Sequence, residues 1–258
     1  MSTGAIVGGW DGTDPRYRGY RPTRRGVHLD HRVRVARALV PPRPGGLLID
    51  LGAGDGYVAG TLAAAAGARL AVAVDLGHPS ALAAPDIRVT RVAAPLPGPL
   101  PFPSGCADVV VSLEAIEHLL DPDALLLEAR RLLAPGGRLV LSTPRLDGGL
   151  VILSLAMGLQ PPGVESSSRA RYGNRLGAGR PSGHVHLFTR RALAEALAAN
   201  GLVAEAWAEG RFSSSWWQSV RTGGGPGRRE IAIGAGLWLY DRIPARKDVL
   251  VVRARRDD

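Results

Sequence analysis

The stretch Leu47-Leu48-Ile49-Asp50-Leu51-Gly52-Ala53-Gly54-Asp55-Gly56 decides how the rest of this 258-residue chain reads. A short strand-like run ends in three glycines at alternate positions, and Val58 to Ala66 then supplies an alanine-rich helix that Gly67 stops. Glycine lets the backbone approach a ligand closely, and the start of the helix presents N–H groups to a carboxylate or phosphate. A dinucleotide fingerprint requires G-x-G-x-x-G. Here the third glycine falls one position early, Tyr57 stands in its place, and Asp50 sits two residues before the first glycine. An acid at that position repels a pyrophosphate and suits an ammonium group.

Outward from this turn the chain alternates strand-like and helix-like runs. Leu70 to Asp75 and Ile87 to Val92 read as strands, and the continuous apolar run in Asp108-Val-Val-Val-Ser-Leu113 suits a strand buried on both faces. Asp121 before Pro122 reads as an N-cap before a first-turn proline, Leu125 to Leu133 gives an apolar face, and Pro135-Gly136-Gly137 is expected to end that helix before a strand from Arg138 to Thr143. Residues 144–187 are too long for a simple connection and read as an insertion that covers a substrate. Thr189 is placed to cap a helix through Asn200, followed by a strand from Leu202 to Trp207, a helix from Glu230 to Tyr240 and a last strand from Asp248 to Arg253. This rhythm predicts a doubly wound α/β domain over residues 46–258, with residues 1–45 as a basic N-terminal extension or cap and the ligand site at the carboxyl ends of the strands. Asp75 closes the second strand, where a carboxylate can accept both hydroxyls of a ribose; a helix N-cap or a solvated loop acid is the alternative.

Composition sets the outer bounds. Hydrophobic residues make up 45% and charged residues 21% of the chain, values of an ordinary folded domain. The lone Cys106 excludes an internal disulfide framework and any Cys-rich metal or radical-cluster site. No secretory pattern follows Met1, and the longest apolar stretch, Leu150 to Leu159, is too short to span a bilayer, so a cytoplasmic protein is expected. Net charge is +9, and Lys247 is the only lysine. The excess lies in residues 1–45, with nine Arg and three Asp, and in residues 165–191, with six Arg and one Glu, while residues 46–143 are net acidic. Such flanks suit an anionic partner, whether nucleic acid, a phosphorylated metabolite or a membrane surface; a solvated Arg-rich face needs none.

The order of these features carries a resemblance. The turn at 50–56, Asp75, the run Leu100-Pro-Phe-Pro-Ser-Gly-Cys106-Ala-Asp108 through Glu114-Ala-Ile-Glu117-His118-Leu119, Leu132 to Pro144 and Gly183-His-Val-His-Leu-Phe-Thr189 together resemble the class I S-adenosylmethionine-dependent methyltransferases. The small-molecule branch, with quinone-biosynthesis and natural-product enzymes, is the most similar. The resemblance implies a Rossmann-like sheet of seven strands, mostly parallel with an antiparallel last strand, and S-adenosyl-L-methionine as cofactor. It places Asp50, Gly52, Ala53, Gly54 and Gly56 around the methionine end, Asp75 on the ribose, Leu76 against adenine, and Ser112 to Glu114 over the methionine moiety. In place of the acid that many relatives carry after the third strand, this chain has Val92-Ala93-Ala94-Pro95, which leaves adenine to packing or to backbone around Ala94.

On the acceptor side the resemblance puts Glu117 and His118 near the transferred methyl, as an orienting or proton-accepting pair or as a helix-capping pair, the second being favoured. His184 and His186 share one face of an extended segment and are either bases for a hydroxyl acceptor or anchors of the returning chain, with His184 ranked first. No metal is expected, because no acid lies close in sequence to that pair. Trp216, Trp217 and Trp238 read as aromatic core at a sheet edge or as a substrate cover. The fourth strand runs into Ser112-Leu-Glu-Ala, which lacks an Asn/Asp-Pro-Pro-aromatic motif, and Cys106 precedes that strand, which argues against DNA base methylation. The expected activity is methyl transfer to a small molecule, foremost to oxygen. The alternatives are an RNA methyltransferase that uses the Arg-rich flanks and a non-catalytic cofactor-binding module.

Overall fold

The computed structural model describes residues 31–76, 88–167, 169–170, 172–173, 182–210 and 247–257. Its elements run α1 (His31–Leu39), β1 (Leu47–Leu51), α2 (Tyr57–Ala66), β2 (Leu70–Asp75), β3 (Arg88–Ala93), β4 (Ala107–Leu113), a 3₁₀ turn (Ile116–His118), α3 (Pro122–Leu132), β5 (Leu133–Pro144), α4 (Gly149–Ala156), α5 (Arg190–Ala199), β6 (Leu202–Gly210) and β7 (Val249–Arg256). The seven strands form one sheet in the order β3-β2-β1-β4-β5-β7-β6. Pairings from β3 through β5 are parallel, and β7 runs antiparallel to both β5 and β6. The seven-stranded doubly wound sheet with one antiparallel last strand is as expected.

Because side chains alternate along a strand, each apolar strand feeds two cores. Ile49, Leu51, Val72, Val74, Val110, Leu139, Leu141 and Val252 lie in the core beneath α3 and α5. Leu48, Ala71, Ala73, Val109, Val111, Val140 and Val251 lie in the other, with α1 and α2. Local chemistry sets the helix ends as expected: Ala124 N donates to Asp121 Oδ1 at 3.0 Å, Ala192 N to Thr189 Oγ1 at 3.1 Å, and Gly67, at φ 69°, closes α2. The Pro-rich loop before β4 is held from α3, where Glu128 accepts from Leu100 N and Arg131 donates to the carbonyls of Leu100 and Phe102.

Four local expectations need correction. Pro135-Gly136-Gly137 does not lie between helix and strand: α3 stops at Leu132 and β5 already begins at Leu133. A Cβ on Gly137 would lie 2.9 Å from the carbonyl oxygens of Ala107 and Ala134, so glycine serves close strand packing there. Strand β6 continues past Trp207 to Gly210, and β7 spans Val249–Arg256 instead of ending at Arg253, because each has the other as an antiparallel partner along its length. Within residues 1–45, residues 31–39 form a helix that the Arg-rich reading missed. Val33, Ala36 and Val40 are buried in the second core, although three arginines interleave them. The expected helix from Glu230 to Tyr240, and Trp216, Trp217 and Trp238, lie outside the described residues.

Ala36 is fully buried where α1 meets the sheet. Ala36→Leu is expected to lower the unfolding free energy by about 1–3 kcal/mol through overpacking, read as a lower urea midpoint with unchanged slope. An unmoved midpoint would show that α1 does not dock as described.

Candidate functional site

The carboxyl ends of β1, β2, β4 and β5 meet where the order of strands reverses between β1 and β4, the place where open α/β sheets bind ligands. The glycine turn is tied to the tip of β2. Gly52 N and Ala53 N both donate to the Val74 carbonyl at 2.9 and 3.0 Å, and Gly54 N donates to Asp75 Oδ2 at 2.8 Å. Gly52 has φ 81°, and a Cβ there would sit 2.6 Å from Ala115 Cβ, so this glycine is required by protein packing. Gly54, at φ 54°, has nothing within 4 Å of where a Cβ would stand, and it leaves open space over the turn. Asp55 anchors the start of α2 by accepting from Tyr57 N at 3.0 Å, while Gly56 packs toward Ala73.

Asp50 is buried at the floor of this turn. Burial first, and then the charges of Asp75 and Asp55, push its carboxyl up to about 8. A turn flanked by three acids, with the most buried one held protonated, is matched to a cationic ligand group such as an ammonium.

The opposite wall follows β4. Ser112 is buried with its hydroxyl donating to the Leu51 carbonyl at 2.9 Å, so its side chain locks β4 to β1. Glu114 adopts a left-handed φ of 53°, which costs a non-glycine residue of order 1–3 kcal/mol. Its surroundings hold it there: Glu114 N donates to the Ser142 carbonyl, Ser142 Oγ donates to Glu114 Oε1 at 2.8 Å, and Arg32 Nη1 donates to Glu114 Oε2 at 3.1 Å. Arg32 comes from α1, a helix whose reach into the site has no signal in the sequence. Leu76 is 38% exposed at the end of β2, in keeping with a surface for a flat ring. Ala94 N donates to the Asp75 carbonyl at 3.0 Å, so that backbone donor is taken by the protein.

The three histidines are not equivalent. His118 and His184 meet edge to face with ring centroids 4.9 Å apart, and Glu117 joins them. His186 stands aside, with its ring directed to the Leu120 carbonyl at 3.4 Å. The backbone N–H groups of Val185 and His186 donate to the Glu117 carbonyl at 2.8 and 3.1 Å, which anchors the chain returning from the insertion. Glu117 does not cap α3, since Asp121 does that; its fully buried carboxylate accepts from Thr143 Oγ1 at 3.1 Å. Burial, followed by the Glu114 charge, holds the Glu117 carboxyl well above the usual range, and burial followed by His184 lowers His118. The grouping of Glu117 with His184 was not legible in sequence; the adjacent Glu-His after an apolar strand was its only signal.

A family model described as a methyltransferase domain matches residues 24–206. A probable S-adenosylmethionine-dependent methyltransferase of Mycobacterium tuberculosis is 36% identical over 99 residues, which are 38% of this chain and 35% of that protein. The chain thus spans about a third of the length of the curated relatives it matches. Among solved structures, an S-adenosylmethionine-dependent methyltransferase from Mesorhizobium loti superposes with a TM-score of 0.58 at 23% identity, covering 90% of this chain and 100% of that one. Geranyl diphosphate C-methyltransferase from Streptomyces coelicolor A3(2), in complex with Mg²⁺, geranyl diphosphate and S-adenosyl-L-homocysteine, gives 0.54 at 16% identity, covering 87% and 78%. At such identities the likeness to these two structures is one of fold. With the family match extending over well more than half of its residues, the chain belongs to the class I S-adenosylmethionine-dependent methyltransferases.

Proposed function

We propose that this chain transfers a methyl group from S-adenosylmethionine to a small-molecule acceptor, with oxygen as the methylated atom. The observation that carries the reading is Asp50, a buried acid facing two further acids beneath the glycine turn. Such a group ionises at neutral pH only beside a cation, and the ammonium of a methionine-derived ligand is one. When bound, the cofactor supplies an activated methyl on a sulfonium. The chain's own residues do the rest. Asp50 pairs with the ammonium, Asp75 takes the ribose hydroxyls while steadying Gly54, Leu76 covers adenine, and the strained Glu114 backbone closes over the methionine portion.

Residues 144–187 are assigned to acceptor recognition. Helix α4 exposes Ile152, Leu153 and Leu155, which suits an apolar acceptor. Of the three histidines, His118 and His184 take the acceptor-side role, and His186 anchors the chain. The Arg-rich flanks count less toward RNA than their charge suggests. Arg32 is bound to Glu114, Arg43 to the Gly136 carbonyl, Arg191 to Glu195, and Arg190 stacks over Trp207 at 5.0 Å. No helix among the described residues is long and apolar enough to cross a membrane.

Titration calorimetry tests the cofactor site. Asp50 is mostly protonated at pH 7 without ligand and ionised beside the ammonium, so binding of S-adenosylmethionine should expel roughly 0.9 proton at pH 7 and almost none at pH 9.5. Heats measured in buffers of different ionisation enthalpy read this directly; zero release at pH 7 would remove Asp50 from the ammonium. The linkage also fixes a stability trend. A carboxyl raised from 3.8 to about 8 binds its proton more tightly in the folded state, so ligand-free stability from this group falls as pH rises from about 4 through 8. Asp50→Asn should flatten that fall in a denaturant series.

Asp75→Ala should weaken the cofactor by about 1.5–3 kcal/mol, the range for hydrogen bonds to a charged group. Unchanged affinity would place the ribose elsewhere. Methyl-labelled cofactor offered with apolar hydroxylated compounds, and separately with RNA, decides the acceptor class: label in RNA alone would replace this reading with the nucleic-acid one, and binding without any transfer would support a non-catalytic module.

A further inference from the structure

Among the described residues a few buried side-chain atoms have no hydrogen-bond partner, and one of them, on Glu117, lies beside two histidines. The Glu117 side chain is fully buried on the 3₁₀ turn after β4, and its Oε2 accepts from Thr143 Oγ1, but its Oε1 has no hydrogen-bond partner. Leaving a buried acceptor unsatisfied is costly, and a persistent case calls for a missing donor or cation. His118 Nε2 lies 3.9 Å away from it. That is too far for a hydrogen bond, but two atoms that each lie about 2.0–2.2 Å from a shared cation stand roughly 3–4 Å apart.

The histidines are oriented for such a role. His118 Nδ1 meets the Gly183 carbonyl at 3.1 Å, and His184 Nδ1 meets the Gly163 carbonyl at 3.0 Å. A carbonyl only accepts, so each ring carries its hydrogen on Nδ1 and, when neutral, leaves Nε2 as a bare lone pair. This is the arrangement by which a backbone carbonyl fixes the tautomer and orientation of a metal-binding histidine. One ligand atom from each of Glu117, His118 and His184 falls within 4.8 Å of the others, and this is the only such trio among the described residues. The frame around it is fixed from outside: Val185 N and His186 N hold the Glu117 carbonyl, and the Glu165 carboxylate accepts from Ser182 N and Gly183 N.

We propose that Glu117, His118 and His184 form a binding site for a first-row divalent cation of the Zn²⁺ or Mn²⁺ kind. Two imidazoles and one carboxylate are a donor set for these ions, whereas Mg²⁺ and Ca²⁺ favour oxygen throughout. Three protein ligands leave coordination positions open, the form of a site that takes a substrate atom. Resting on the methyltransferase reading above, the open position receives the acceptor oxygen. The acceptor hydroxyl binds the cation and releases its proton to water. Its oxygen then forms the new O–CH₃ bond as the methyl–sulfur bond breaks and the electron pair returns to sulfur. Lewis-acid assistance of this kind replaces a general base, and it gives His118 and His184 a joint role.

The test is metal binding by the full-length, tag-free protein after chelator dialysis, titrated with ZnCl₂, MnCl₂ and, separately, MgCl₂. One Zn²⁺ or Mn²⁺ per chain is expected, with Mg²⁺ bound far more weakly. Glu117→Gln and His184→Ala should each lower the affinity by roughly a hundredfold, with circular dichroism confirming the fold, while Cys106→Ser should bind as the parent does. Co²⁺ loaded into the unmutated protein gives a second readout that needs no variant: d–d bands without a thiolate charge-transfer band. Absence of a stoichiometric site, affinity unchanged in a His118→Ala/His184→Ala double variant, or a thiolate band would each overturn the proposal. S-Adenosyl-L-homocysteine is titrated in parallel with and without metal. Its failure to bind in both cases would sink the methyltransferase reading and leave the metal site standing.

Discussion

A parallel strand sheathed by helices on both faces has nowhere to put a charge except at its ends, and that constraint organises this molecule. Strands β1 and β2 are almost wholly apolar until Asp50 and Asp75, and β4 and β5, past Asp108 and Arg138 in their first halves, stay apolar until Ser112, Ser142 and Thr143. Since these strands are parallel, the same ends gather on one edge. The polar groups there must satisfy one another or bind something. Ser112 is satisfied by the Leu51 carbonyl and Ser142 by Glu114, and these two bonds brace the switch point between β1 and its neighbours. Asp50 is pressed by two neighbouring acids, and Asp55 and Glu117 each keep one buried oxygen without a hydrogen-bond partner, so these are the groups whose complement a ligand can supply.

The balance of charge along that edge has one sign. Asp50, Asp55, Asp75, Glu114 and Glu117 all face it or border it, while Arg91 is held by the Asp55 carbonyl and Arg32 reaches in to Glu114 from a helix outside the repeating β–α pattern. Like charges brought together in a partly buried place raise the free energy of the folded chain and shift the most buried members toward their neutral forms. On the proposed reading that cost is relieved on binding, when a cationic ligand group restores ionisation at Asp50. The ion pair with Arg32 and the bond from Ser142 keep Glu114 in its left-handed conformation, so the docking of α1 and the shape of the site wall are physically linked.

How much of this was legible in the sequence depends on whether the signal was local. The turn at 52–56, the strands at 47–51 and 70–75 and the caps at Asp121 and Thr189 follow from periodicity and cap chemistry within a few residues, and the structure bears them out. Helix α1 was hidden because His31-Arg-Val-Arg-Val-Ala-Arg-Ala-Leu39 reads as a basic run, although Val33 and Ala36 are buried against the sheet. Pro135-Gly136-Gly137 looked like a stop because its turn chemistry is real; a neighbouring strand overrides it, pairing Ala107 with Leu133 before the register shifts. Ala94, expected to lend its backbone to adenine, has its N–H committed to Asp75, a bond that only the pairing of β2 with β3 creates.

The histidines show the limit most clearly. In sequence, His184 and His186 form a pair by spacing, His118 stands far from both, and no acid lies close to the pair. In space the chain returns from the insertion across the end of β4, and the bond from His118 to the Gly183 carbonyl joins residues 65 positions apart. The backbone of Val185 and His186 binds to Glu117, which brings His184 beside His118 and turns His186 away. The two-residue spacing was therefore informative about the backbone and misleading about the side chains. Two histidines on one face of an extended segment share a direction, but which of them meets a third residue is set by where the segment is pinned. Here it is pinned by the main chain of the very residue whose carboxylate keeps one oxygen without a partner.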